Sequence, residues 1–158
     1  MKADYVIASG TEEVVAACRA ALGGIPGVDI RTGSVPETGW DCDAAILNGP
    51  LAHERYGGVP RRGVVQVLAN RLTDGAPPVI LAAAPRALDG AVTDPDDAEI
   101  EDYVQDVLAS CVSAFAAAFP DRDEVRVLVH LEGAALDRPA VEAPLRGIRR
   151  FLTESRRS

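Results

Sequence analysis

A chain of 158 residues, 47% hydrophobic and with a formal net charge of −8, is the size of one ordinary domain and can bury a substantial core. Its acidic balance argues against nucleic acid as a general partner and against an anionic membrane surface, because both depend on basic side chains that meet phosphates. No apolar run reaches membrane-spanning length, no export signal opens the chain, and Cys18, Cys42 and Cys111 are scattered like reduced thiols, so a cytoplasmic location is expected.

Residues 5–8 form a short apolar run that breaks at Ser9-Gly10-Thr11. Residues 12–22 then place Val14, Val15, Cys18, Ala21 and Leu22 at the spacing of a half-buried helix. Ser9 with Glu12 fits a capping box, and Thr11 is the rival cap. The same turn offers backbone N–H groups to an anion, although it is too short for a Walker loop and no Lys follows it. Gly23-Gly24-Ile25-Pro26-Gly27 stops the helix, and a right-handed crossover is expected to return the chain to a strand at 28–30.

That strand breaks at Thr32-Gly33-Ser34, and a second apolar run at 44–47 breaks at Asn48-Gly49-Pro50. Glycine at a strand's carboxyl end permits positive φ and a close approach of ligand to backbone, and ligands of open α/β sheets bind at that end. Residues 64–68 read as a strand, with a helix over 63–72 as the competitor. The turn cluster at 73–78 predicts a hairpin between that strand and the one at 79–83. The polar segment 89–97, with Pro95, reads as a flexible loop. Asp96 or Asp97 then caps a long helix to about Phe119, with the apolar stripe Ile100, Val104, Val107, Leu108, Cys111, Val112, Phe115 and Phe119. VRVLVHLEG, residues 125–133, is the last core strand, a helix over 140–152 closes a single domain spanning 1–152, and the tail 153–158 frays.

Candidate chemistry is sparse. His53 and Glu54 are the weak candidates for a general acid or base, against a reading as solvent-facing loop residues. His130 alternates with apolar neighbours and reads as a satisfied core or rim histidine. Arg61 and Arg62 suit either a phosphate or surface ion pairs. Asp41 and Asp43 around Cys42 lack a metal-ligand spacing, and Cys42 lacks a local cation to lower its pKa, so neither metal nor cofactor is expected. Glu101, Asp102 and Asp106 read as a solvated helix face.

The order of these motifs resembles the macro domain, the ADP-ribose-binding module. Gly33-Ser34-Val35 stands at the family's first turn, Asp43-Ala44-Ala45-Ile46-Leu47-Asn48 at its second motif strand, and Tyr56-Gly57-Gly58 at its glycine loop. Residues 78–85, ending in Ala84-Pro85, are similar to the strand that closes on an Ala-Pro step, and Gly133-Ala134-Ala135 stands at the distal-phosphate loop. The resemblance implies a three-layer α/β/α fold around a mixed sheet of about six strands. It implies a nucleotide-type ligand, ADP-ribose or a relative, held by Gly33, Ser34, Val35, Asn48, Tyr56, Gly57, Gly58, Pro85, Gly133, Ala134 and Ala135. The chain departs from the pattern where Ser34 replaces the adenine-contacting Asp and Leu51 replaces the second Asn. Glu132 would repel a diphosphate unless it points away, and the helix expected after Gly58 is missing, which should leave an open cleft there. Binding without efficient turnover is therefore the expected function. The alternatives are a hydrolase of ADP-ribosyl or ADP-ribose phosphate bonds using His53 or Glu54, and a ligand-free module for a protein partner.

Overall fold

The computed structural model describes residues 1–61, 63–83, 96–137 and 140–155. Arg62, Pro85 and most of the polar loop expected at 89–97 lie outside the described residues. Strands and helices alternate as β1 (Lys2–Ser9), α1 (Glu12–Leu22), β2 (Val28–Thr32), α2 (Val35–Thr38), β3 (Ala44–Asn48), α3 (Gly49–Tyr56), β4 (Gln66–Ala69), β5 (Val79–Ala83), α4 (Asp97–Ala118), β6 (Glu124–His130) and α5 (Glu142–Ser155). The strands form one mixed sheet in the order β2-β1-β6-β3-β5-β4, in which β4 runs antiparallel to β5 and every other pairing is parallel.

Side-chain alternation along the strands sorts the core into two layers. Tyr5, Ile7, Ala44, Ile46, Leu81, Val127 and Val129 pack beneath α1, α4 and α5. Val6, Ala8, Ala45, Leu47, Ile80, Ala82 and Leu128 face the opposite side, beneath Ala52 of α3 and beside Val35 of α2. The result is a three-layer α/β/α fold. Six of the eight residues of the stripe expected on α4 are buried, with Phe115 wholly enclosed, while Val112 and the C-cap Phe119 are half-buried. Its partner α5 comes very close at Gly147, where a Cβ would stand 2.9 Å from both the Glu101 carbonyl oxygen and the Val104 Cβ.

The hairpin forms as expected, but its first strand occupies Gln66–Ala69 and not 64–68. Two helices replace expected loops. At α2, Ser34 and Glu37 make a reciprocal capping box with Pro36 in the first turn, so the tight loop closes into one helical turn. At α3, the Asn48 side chain accepts from the Leu51 N–H and Pro50 sits in the first turn, which converts residues 49–56 into helix. At α1, the capping box expected of Ser9 and Glu12 does not form. Thr11 is the cap residue, without a side-chain bond to the helix, while the Ser9 hydroxyl donates to Glu132 and accepts from the Thr11 N–H. Among the described residues no helix is long and apolar enough to cross a membrane.

Candidate functional site

The topology itself makes a crevice. After β6 and β5 the chain turns into helices on one face of the sheet, whereas after β3 it turns into α3 on the other. Loops that depart in opposite directions from neighbouring strand ends leave room between them at the carboxyl edge. The ends of β3 and β5 meet there as Asn48 beside Ala83.

Hydrogen bonds lock the loops around this crevice. The Asn48 amide Nδ2 and its backbone N–H both donate to the Gly133 carbonyl, at 2.9 and 2.8 Å, and so tie β3 to the loop after β6. The Gly133 N–H donates to His130 Nδ1 at 3.1 Å, so Nε2 carries the ring proton and donates to the Gly33 carbonyl at 2.8 Å. His130 is thus a satisfied, buried histidine joining the loops that follow β2 and β6. Gly33 holds a φ of +145°, a region open to glycine, and its own N–H donates to the Ser9 carbonyl. Glu132 enters from the β6 side. Its Oε1 accepts from the Ser9 hydroxyl at 2.7 Å and from the Gly10 N–H at 2.8 Å, and its Oε2 is buried with no partner among the described residues.

Two clefts receive five of the residues expected to bind ligand. The larger, 530 Å³, is lined by Asn48, Gly49, Pro50, Ala83, Tyr103, Glu132, Ala134, Ala135 and Asp137. It gathers Asn48, Ala134 and Ala135 and adds two carboxylates and a phenol, the latter raised in pKa by burial. The smaller, 220 Å³, lies between α2 and α3 and gathers Val35 and Tyr56 with Leu47 and Leu51. Gly133 packs against Val35 and Leu47 of that smaller cleft, while the next two residues of its loop line the larger one. Ser34 stands at the entry to α2, where its hydroxyl is engaged in the capping box.

The structure carries Gly57 and Gly58 away from this loop. Both have positive φ, and the nearest neighbours of a Cβ on Gly58 would be Gln66, Leu68 and His53, so the pair serves the turn from α3 to the edge strand. The cleft expected behind them is a 310 Å³ groove walled by Arg55, Tyr56, Gly58, Ala69, Arg71 and Leu72. His53 and Glu54 lie on α3 and line neither of these two clefts. His53 Nδ1 donates to the Gly57 carbonyl at 2.9 Å.

The remaining chemistry is structural. Asp41 accepts a bidentate pair from Arg31 at 2.6 and 2.9 Å and a further bond from Arg126 at 2.6 Å. Its carboxyl is held at about 2, chiefly by the Arg31 hydrogen bonds. The exposed Trp40 lies over Arg31, its ring centre 5.7 Å from the guanidinium carbon. Asp74 is partly desolvated, which would raise its pKa, but donors from Asn70, Tyr56, the Ala76 N–H and Arg55 hold it well below the usual range. Cys42 is buried and its thiol pushed up to about 12, with burial the main cause, which fits an inert thiol. Among the described residues no cluster of His, Cys, Asp or Glu is arranged for a metal ion.

Sequence reasoning missed Tyr103 and Asp137 and did not foresee the bonds of Glu132 to Ser9 and Gly10. Tyr103 sits beside the apolar stripe of α4, and Asp137 in a loop with no motif, so neither carried a signal. Glu132 did carry one, because a carboxylate in a loop expected to meet phosphate needs an intrachain partner. No family model matches this chain, and no curated protein or solved structure matches it either.

Proposed function

We propose that this chain is a small-molecule-binding module of macro type that takes a nucleotide-type ligand, ADP-ribose or a relative, at the carboxyl edge of its sheet without turning it over. The observation that carries the reading is the convergence of Asn48, Ala134 and Ala135 on one 530 Å³ cleft at the strand ends, a volume suited to a small ligand. The topology supports it, since the crevice lies where strand connections diverge. Turnover has less support, because His53 and Glu54 line neither cleft and His53 is bonded to Gly57. The saturation of the loop N–H groups by intrachain partners favours a second reading, a ligand-free scaffold for a protein partner.

Titration calorimetry with ADP-ribose, ADP and adenosine separates the two. Saturable heat at micromolar concentration is expected. Ala135→Trp, at an exposed position on the cleft rim, should weaken it at least about ten-fold with the melting temperature retained. Absence of both heat and thermal shift at millimolar concentration of all three compounds would remove the binding reading and leave the scaffold.

A further inference from the structure

We infer that Glu132 fills the anion seat of the β1–α1 turn from within the chain, so that the larger cleft takes its ligand by ribose hydroxyls and leaves phosphate outside. With the binding reading above as its premise, this arrangement narrows the ligand class to the ribonucleoside part of a nucleotide.

A strand running through a short turn into a helix presents N–H groups and a partial positive charge that ordinarily attract an anion. Here the anion is already present. Glu132 Oε1 holds both the Ser9 hydroxyl and the Gly10 N–H, and the next donor, the Thr11 N–H, closes on Ser9 Oγ at 3.1 Å. The loop after β6 is closed in the same way. Gly133 donates to His130 Nδ1, Ala134 to the His130 carbonyl and Ala135 to the Glu132 carbonyl. A diphosphate seated there would have to displace a doubly bonded carboxylate, open a turn, and lie beside Glu132 and Asp137.

The same carboxylate leaves capacity for a neutral donor. An ionised carboxylate has two acceptor oxygens, and the second one of Glu132 is buried without a partner among the described residues. A buried acceptor left unmatched is unfavourable, and because Glu132 as a whole is only half-buried, a small turn of its side chain brings that enclosed oxygen to a ligand hydroxyl, which satisfies it without a second negative charge. Vicinal ribose hydroxyls suit this role, as acidic side chains hold them in dinucleotide-binding folds. Asp137, Asn48 and Tyr103 line the same cleft and supply further acceptors and a donor.

The test is calorimetry on the full chain with the four common ribonucleosides, their 2′-deoxy counterparts, ADP and ADP-ribose. At least one ribonucleoside should bind, its 2′-deoxy form about ten-fold or more weaker. ADP should bind within about three-fold of adenosine, because its phosphates make no contact in the cleft. Glu132→Gln and, independently, Asp137→Asn should each weaken the ribonucleoside without lowering the melting temperature. Glu132→Ala should acquire stabilisation by inorganic phosphate that the wild type lacks. ADP binding more than about ten-fold tighter than adenosine, or ADP-ribose binding while no ribonucleoside does, would overturn the inference and leave the binding module standing. Equal phosphate stabilisation of wild type and Glu132→Ala would overturn it as well. No binding of any compound would overturn both.

Discussion

Two regions of this molecule hold carboxylates in different ways. Between α2, α3 and the outer strands, Asp41 and Asp74 are matched on all sides, Asp41 by two guanidinium groups and Asp74 by four donors. At the carboxyl edge, Glu132 is matched on one oxygen only among the described residues. A fully matched carboxylate fixes the fold, and nothing remains for a ligand to satisfy. A half-matched one gives up stability and keeps an acceptor at the place where the strand connections diverge.

Mutation breaks the comparison at its strong end first. Asp74→Ala strands the donors of Asn70, Tyr56 and the Ala76 N–H around the hairpin turn, and should cost about 3 kcal/mol in urea unfolding. Asp41→Ala removes the ion pair of Arg126 and leaves Arg31 with only Asp29 and the Thr38 carbonyl, in a partly exposed setting, and should cost about 2 kcal/mol. Acid sharpens the same contrast. The folded pKa values of Asp41 and Asp74 lie below their ordinary values, so their contribution is full above about pH 4; that of Asp41 is lost as the pH falls through about 2, and that of Asp74 at still lower pH. Wild type should therefore lose about 1 kcal/mol or more between about pH 5 and pH 2.5, and Asp41→Asn should show a flatter profile. At the weak end, Glu132→Gln should change stability by less than about 0.5 kcal/mol, since it keeps an acceptor for Ser9 and Gly10. A cost comparable to that of Asp41→Ala would show that the two regions are held alike.

Much of the fold was legible because its signals are local. The stripe on α4, the stop at residues 23–27, and the hairpin turn each rest on residues close in sequence, and each appears where expected. The two short helices were harder to read. Ser34 with Glu37, and Asn48 with Pro50, are complete helix-start signals, but the resemblance gave Ser34 and Asn48 to a ligand, and capping claims them first. Asn48 retains a place in the larger cleft, whereas the Ser34 hydroxyl is bonded within its own turn.

The candidate site was legible in its position and not in its chemistry. Glycine and asparagine at strand ends marked the carboxyl edge, because a strand must break there and only certain residues break it well. Which groups face one another across that edge depends on contacts spanning more than a hundred residues, Ser9 to Glu132 among them, and on a sheet order that inserts β6 between β1 and β3. The sequence by itself determined the alternating α/β character, the apolar faces and the breaks, all set by side-chain period and backbone freedom. Only the tertiary structure decided that the anion at the first turn belongs to the chain itself, because hydrogen-bond partners are chosen by proximity in space and the sequence order says nothing of it.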